Sequence, residues 1–125
     1  MSSLKSEQKE DILCVYFTDA KILDEARIQQ IGKELVEKAA SAAGSESKKM
    51  LVNFQGVQFM SSAMIGKLVL LNKKSKTDKV DLKLCNITPN VLEVFKITRL
   101  NKVFDIQGEE EKALKSFGKG KGWFG

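Results

Sequence analysis

Met50-Leu51-Val52-Asn53-Phe54-Gln55-Gly56-Val57-Gln58-Phe59-Met60-Ser61-Ser62-Ala63-Met64-Ile65-Gly66-Lys67-Leu68 is the stretch that decides the fold. Met50 to Phe54 is a hydrophobic strand pattern, closed by a Gln55-Gly56 turn. Two serines follow, and then a helix from about Ser62 to Lys76. Met64, Ile65, Leu68, Val69, Leu70 and Leu71 make that helix apolar over a wide arc, which means heavy burial or a surface that a partner covers. The serines stand where backbone N–H groups have no helical partner and the helix dipole is positive. That position suits a cap, an anion or a phosphate-carrying serine. The plainest reading is that Ser61 or Ser62 caps the helix.

Working outward, Ile12 to Phe17 is a β-rich run, and the polar residues ahead of it suit a short partner strand. Thr18 to Leu23 reads as a loop. Asp24 can cap a helix from Glu25 to about Ala43, where Ile28, Ile31, Leu35 and Ala39 recur at helical spacing. Val80 to Cys85 alternates as a strand. Thr88 and Pro89 open a third helix as N-cap and first helical residue, with Val91, Leu92 and Phe95 as its buried stripe. Lys102 to Ile106 is expected to be a final strand, and Glu109 to Phe117 a helix with an acidic start. This alternation predicts an α/β domain with a mostly parallel sheet. Ile31, Leu35, Leu68 and Phe95 are expected in the core.

The 125 residues suit one domain over 1–117, with 118–125 as a flexible Gly/Lys tail. No apolar run approaches the roughly 20 residues that span a bilayer, and Met1 to Asp11 has no signal-peptide core, so a soluble cytoplasmic protein without membrane contact is expected. Cys14 and Cys85 lie in apolar strand-like runs and read as buried thiols; a disulfide is possible in principle, but the cytoplasmic setting argues against it. With no histidine in the chain, His-based acid–base chemistry, a Ser-His-Asp triad and His-ligated metals are excluded. No phosphate-binding glycine loop occurs. No catalytic residue, metal ligand or cofactor is predicted, and an enzyme ranks last among the readings. The net charge of +5 owes much to Lys67, Lys73, Lys74, Lys76 and Lys79, and to Lys119 and Lys121 in the tail. Only two arginines occur and aromatics do not interleave with the lysines, so any nucleic-acid binding is expected to be weak and not sequence-specific.

From about Lys5 to Phe117 the order of elements, with Phe59-Met60-Ser61-Ser62-Ala63-Met64-Ile65-Gly66 between strand and helix, resembles the STAS family. These are the sulfate-transporter and anti-sigma-factor-antagonist domains. The resemblance implies a small, mostly parallel or mixed sheet of four to five strands with helices largely on one face. Family antagonists carry Asp-Ser-Ser/Thr-Gly-Leu-Gly at the second helix, with the second hydroxyl residue as phosphoacceptor. Aligned on Phe59-Met60 and Gly66, Ser61 falls on the family Asp and Ser62 on the first Ser. Ala63 then falls on the phosphoacceptor, Met64 on the Gly, and Ile65-Gly66 on the Leu-Gly pair. Sliding by one brings Ser62 onto the acceptor but costs Gly66 its match, so the unslid register is preferred.

The resemblance implies a protein-binding regulatory module in a partner-switching pathway. Its partners would be an anti-sigma factor that is a GHKL-type serine kinase and a PP2C-type phosphatase. With Ala63 at the acceptor, the usual phosphoswitch would be missing. The docking face would comprise Ser61, Ser62, Ala63, Met64 and Lys67, with Asp19 and Lys21 from the loop after the first long strand; Ser62 is the possible phosphorylation site. Two further readings stay open: a small-ligand or nucleotide-sensing module, and an oligomeric scaffold, such as a homodimer, built on the apolar arc of the second helix or on Trp123-Phe124 in the tail.

Overall fold

A hairpin begins the chain. Strand β1 (Leu4–Lys9) pairs antiparallel with β2 (Ile12–Phe17), so the polar residues ahead of Ile12 do form a partner strand. The computed structural model describes residues 3–119. Asp24 then caps α1 (Glu25–Ala43), its carboxylate accepting from the Arg27 amide at 2.9 Å. Ile28, Ile31, Leu35, Ala39 and Ala42 form the buried stripe of α1.

Strand β4 (Lys49–Asn53) runs parallel to β2, and β6 (Asp81–Cys85) runs parallel to β4. The resulting four-stranded sheet has the order β1-β2-β4-β6 and is mixed only at its β1 edge. A second, two-stranded sheet lies apart from it: β3 (Lys21–Ile22) beside β5 (Phe59–Met60). Three helices follow, α2 (Ser62–Thr77), α3 (Pro89–Ile97) and α4 (Glu110–Lys119).

Alternation along the strands sorts the core onto two faces, because successive side chains point to opposite sides of a sheet. Val15, Phe17, Met50, Val52, Leu82 and Leu84 face the larger cluster, with residues of α1, α2 and α3. Ile12, Cys14, Leu51 and Cys85 face a smaller one, closed by Ala113 and Phe117 of α4. Three helices therefore share one face and a single helix covers the other. Ile31, Leu35, Leu68 and Phe95 are all fully buried. Cys14 and Cys85 are free and buried, and β4 lies between their strands. Two strand spacings, roughly 9–10 Å, exceed the reach of a disulfide. Burial pushes the Cys14 thiol up to about 11 and that of Cys85 up to about 12, so both stay protonated and inert at neutral pH.

The expected strand over Lys102–Ile106 does not form as such. The Val103 amide donates to the Leu100 carbonyl at 3.0 Å, which closes a turn, and Phe104 drops onto the Phe95 ring with centroids 5.4 Å apart. Only Ile106 bridges to Leu84 at the β6 edge. Helix α4 runs beyond Phe117 through Gly118 and Lys119; 120–125 lie outside the described residues.

Candidate functional site

The carboxyl ends of the parallel strands lead into the segments that build the site. The turn Phe54-Gln55-Gly56-Val57 closes with the Val57 amide donating to the Phe54 carbonyl at 2.9 Å. Gly56 has φ +90°, a conformation that glycine adopts without steric cost. The chain then runs back past the loop after β2. The amides of Gln58 and Phe59 donate to the Ala20 carbonyl at 2.7 and 3.1 Å, and the Ser61 amide donates to the Ile22 carbonyl at 3.1 Å. These bonds make the β3–β5 pair, and they hold the loop 18–23 against the start of α2. The Thr88 hydroxyl ties in the third wall by donating to the Val57 carbonyl at 2.8 Å. Thr88 thus occupies the N-cap position of α3 but makes no side-chain cap bond, because its hydroxyl is turned to the turn.

Ser61 is the N-cap of α2, with extended backbone (φ −78°, ψ 161°) and its hydroxyl accepting from the Met64 amide at 3.4 Å. Ser62 and Ala63 follow in the first turn, and both are exposed. The Ser62 hydroxyl has no hydrogen-bond partner among the described residues. Met64 is fully buried and contributes to the core. It belongs beneath the predicted docking face, because the helical turn that exposes Ala63 directs the next residue inward.

The other candidates divide in the same way. Lys21 is exposed, with its ammonium 5.8 Å from the Phe59 ring centroid. Asp19 is held by Arg27 in a two-pronged ion pair, Nε–Oδ2 2.7 Å and Nη2–Oδ1 2.9 Å. The hydrogen bonds from Arg27 hold the Asp19 carboxyl below the usual carboxylate range, against the opposing effect of burial. Asp19 therefore fastens the loop to α1. Lys67 lies one turn below Ala63, and its ammonium donates to Gln29 Oε1 at 3.0 Å.

Exposed apolar side chains border this face: Phe59 is 43% and Leu23 55% exposed. Leu23 ends the loop 18–23, and Phe59 lies in β5 beside it. Val57-Gln58-Phe59-Met60 does not alternate simply, since both Gln58 and Phe59 are exposed between buried neighbours. Among the described residues no group of His, Cys, Asp and Glu side chains is disposed to hold a metal, and no helix is long and apolar enough to cross a membrane.

A four-stranded mixed sheet with this helix order, and a capped, solvent-facing start to α2, defines the class: a small α/β domain that presents a helix start at one end. The STAS domain family model matches residues 3–113, and the chain belongs to that family. It is 24% identical over 96 residues to BtrV of Bordetella bronchiseptica, whose name assigns it to the anti-sigma factor antagonists; the match covers 77% of this chain and 79% of that protein. Its fold superposes on an anti-sigma-factor antagonist (STAS) domain protein from Planctomyces limnophilus with a TM-score of 0.76 at 23% identity, covering 91% and 97% of the two chains. The phosphorylated form of the Bacillus cell fate determinant SpoIIAA superposes with a TM-score of 0.65 at 17% identity, covering 90% and 97%.

Proposed function

We propose that the chain is a protein-binding regulatory module of the anti-sigma-factor-antagonist kind. It docks on an anti-sigma factor that is a GHKL-type serine kinase, through the start of α2, and is not phosphorylated at residue 63. The observation that carries this reading is the exposed pair Ser62-Ala63 at a capped helix start, flanked by the exposed Phe59 and Leu23. Aromatic and aliphatic side chains standing in solvent beside polar ones are what a protein interface uses as anchors. Membership of the family and the name of BtrV supply the kind of partner. The work is binding rather than catalysis, and this reading implies a cytoplasmic protein, with a PP2C-type phosphatase in the same pathway.

A phosphate adds close to two negative charges and several acceptor oxygens, which at this helix start would repel an acidic partner and hold it off sterically. Ala63 offers no oxygen to phosphorylate, so the surface stays small and neutral. The test is mass spectrometry after incubation with a GHKL-type anti-sigma kinase and ATP. The unaltered protein should carry no phosphate at residue 63 and gain it slowly, if at all, on Ser62. Ala63→Ser should gain it readily, and its phosphorylated form should bind the kinase more weakly. Rapid, stoichiometric phosphate on Ser62 would show that the register slides by one. Calorimetry that finds no complex with the kinase, alongside retention of nucleotide in equilibrium dialysis, would replace the docking reading with nucleotide sensing.

A further inference from the structure

The wide apolar arc of α2 is not consumed by the core. Leu70 is 55% exposed at the middle of the helix, and Val36 is 36% exposed on α1. Both line a groove of about 350 Å³ between the two helices, together with Gly32, Lys33, Glu37 and Lys67. Gly32 is the close point of the two helices: a Cβ there would lie 3.0 Å from Lys67 Cδ, so the lysine stem rests on the α1 backbone. Gly66, one turn above Leu70, has open space on its side.

Most of the charge around this apolar stripe is positive. Lys67, Lys73 and Lys74 stand three residues before, three after and four after Leu70, on the same side of the helix, and Lys33 lines the groove opposite. Lys67 bonds the neutral Gln29, and Lys74 pairs with Asp78 at 3.1 Å. Lys33 and Lys73 have no carboxylate partner among the described residues. Glu37 is the only acid in the lining among the described residues.

We infer that this groove docks an acidic amphipathic helix of a partner protein. An aliphatic side chain would enter between Val36 and Leu70, with carboxylates meeting Lys33, Lys67 and Lys73. The lysine rim opposes a second copy of a chain that itself carries +5. The surface is also concave, whereas binding to a bilayer needs apolar side chains that protrude. Leu70, which lines the groove, lies two helical turns or about 12 Å from Ser62, and the inference does not rest on docking at the helix start.

The probe is a synthetic helical peptide with leucines at i and i+4 flanked by glutamates, titrated into the isotope-labelled protein and followed by amide NMR shifts. Two control peptides replace the glutamates by lysines or the leucines by serines. Shifts should concentrate at Gly32, Val36 and Leu70, and either control should bind about tenfold more weakly or worse. Leu70→Glu and the double variant Lys33→Glu/Lys73→Glu should each weaken binding to a similar degree while keeping the thermal midpoint, since these side chains are exposed. Binding should also fall as salt rises from about 0.1 to 0.5 M. Equal binding of the lysine peptide, shifts centred elsewhere, or no binding at millimolar peptide would overturn the inference. So would a dimer in light scattering that Leu70→Glu abolishes, or binding to phosphatidylglycerol vesicles by a protein that ignores the peptide.

Discussion

Helices α2 and α4 both begin at the carboxyl end of the parallel strands, yet one start is fastened and the other is left open. At α4, Glu110 takes three bonds: from Tyr16 Oη and Asn53 Nδ2 to Oε1, both 2.8 Å, and from Lys9 Nζ to Oε2 at 2.5 Å. Asn53 in turn accepts from the Gln55 amide at 2.8 Å, which ties this cluster to the turn before β5. At α2 the first turn holds no acid, and among the described residues its only side-chain bond is the 3.4 Å contact at Ser61. An acid in the first turn of a helix satisfies the dipole internally. The start of α4 is therefore a clamp on the sheet, while that of α2 leaves Ser62 and Ala63 facing solvent.

The largest effect should come from the scaffold beneath the open start. Leu68 is fully buried between α2 and the sheet. Leu68→Ala should cost about 2–5 kcal/mol in denaturant unfolding, from lost transfer energy plus the cavity left behind. A cost under about 0.5 kcal/mol would mean that this face of α2 is not packed, and the contrast between inner and outer faces of the helix would fail.

How far such features can be read in sequence depends on how many residues repeat the signal. α1 is legible because Asp24 caps it and four apolar positions recur at helical spacing; the central strands are legible as apolar runs bounded by turns. The β3–β5 pair is not, because two residues a side carry no periodicity and the pairing is set by backbone bonds from the Ala20 and Ile22 carbonyls. Lys102–Ile106 has the composition of a strand, but Phe104 is claimed by the Phe95 ring, and a tertiary contact overrides propensity there. At the site, the two serines reveal a helix start, and the inward turn of Met64 follows from helical geometry once the cap is fixed at Ser61. The Glu110 clamp escapes sequence reading altogether. Its partners come from β1, β2 and β4, and nothing local to Tyr16 or Asn53 announces a carboxylate from the far end of the chain.

The clamp is the next place to break the comparison. Burial pushes the Glu110 carboxyl up, but the bonds from Lys9, Asn53 and Tyr16 outweigh it and hold the pKa below the ordinary glutamate value. Lys9 is shifted upward by the same bond, and burial raises the Tyr16 phenol to about 12. Glu110→Ala should destabilise by about 1–3 kcal/mol, since it leaves Asn53 and Tyr16 without an acceptor. The pH dependence has a definite sign. A carboxyl whose pKa is lower folded than unfolded adds stability above the unfolded value, about 4.3, and loses it as pH falls through the folded one. The gap between wild type and Glu110→Ala in urea unfolding should therefore narrow as pH drops below about 4. A gap unchanged at low pH would mean that the ionised carboxylate is not what fastens α4.

The smallest effects test the open start itself, and they must differ between adjacent residues of the same type. Ser61 is the cap, and replacing a capping serine with alanine costs about 0.5–2 kcal/mol. Its bond is long at 3.4 Å, so Ser61→Ala should fall in the lower half of that range. Ser62 is exposed, and its hydroxyl has no partner among the described residues, so Ser62→Ala should change stability by no more than about 0.5 kcal/mol. Alanine is also the better helix former, which sets a small stabilising term against any loss of hydration. Chemical denaturation of both variants in one buffer measures the difference directly. If Ser62→Ala proved the costlier of the two, the helix would begin one residue later than Ser61 dictates. Ser62 would then be a structural residue, and the exposed face would start at Ala63.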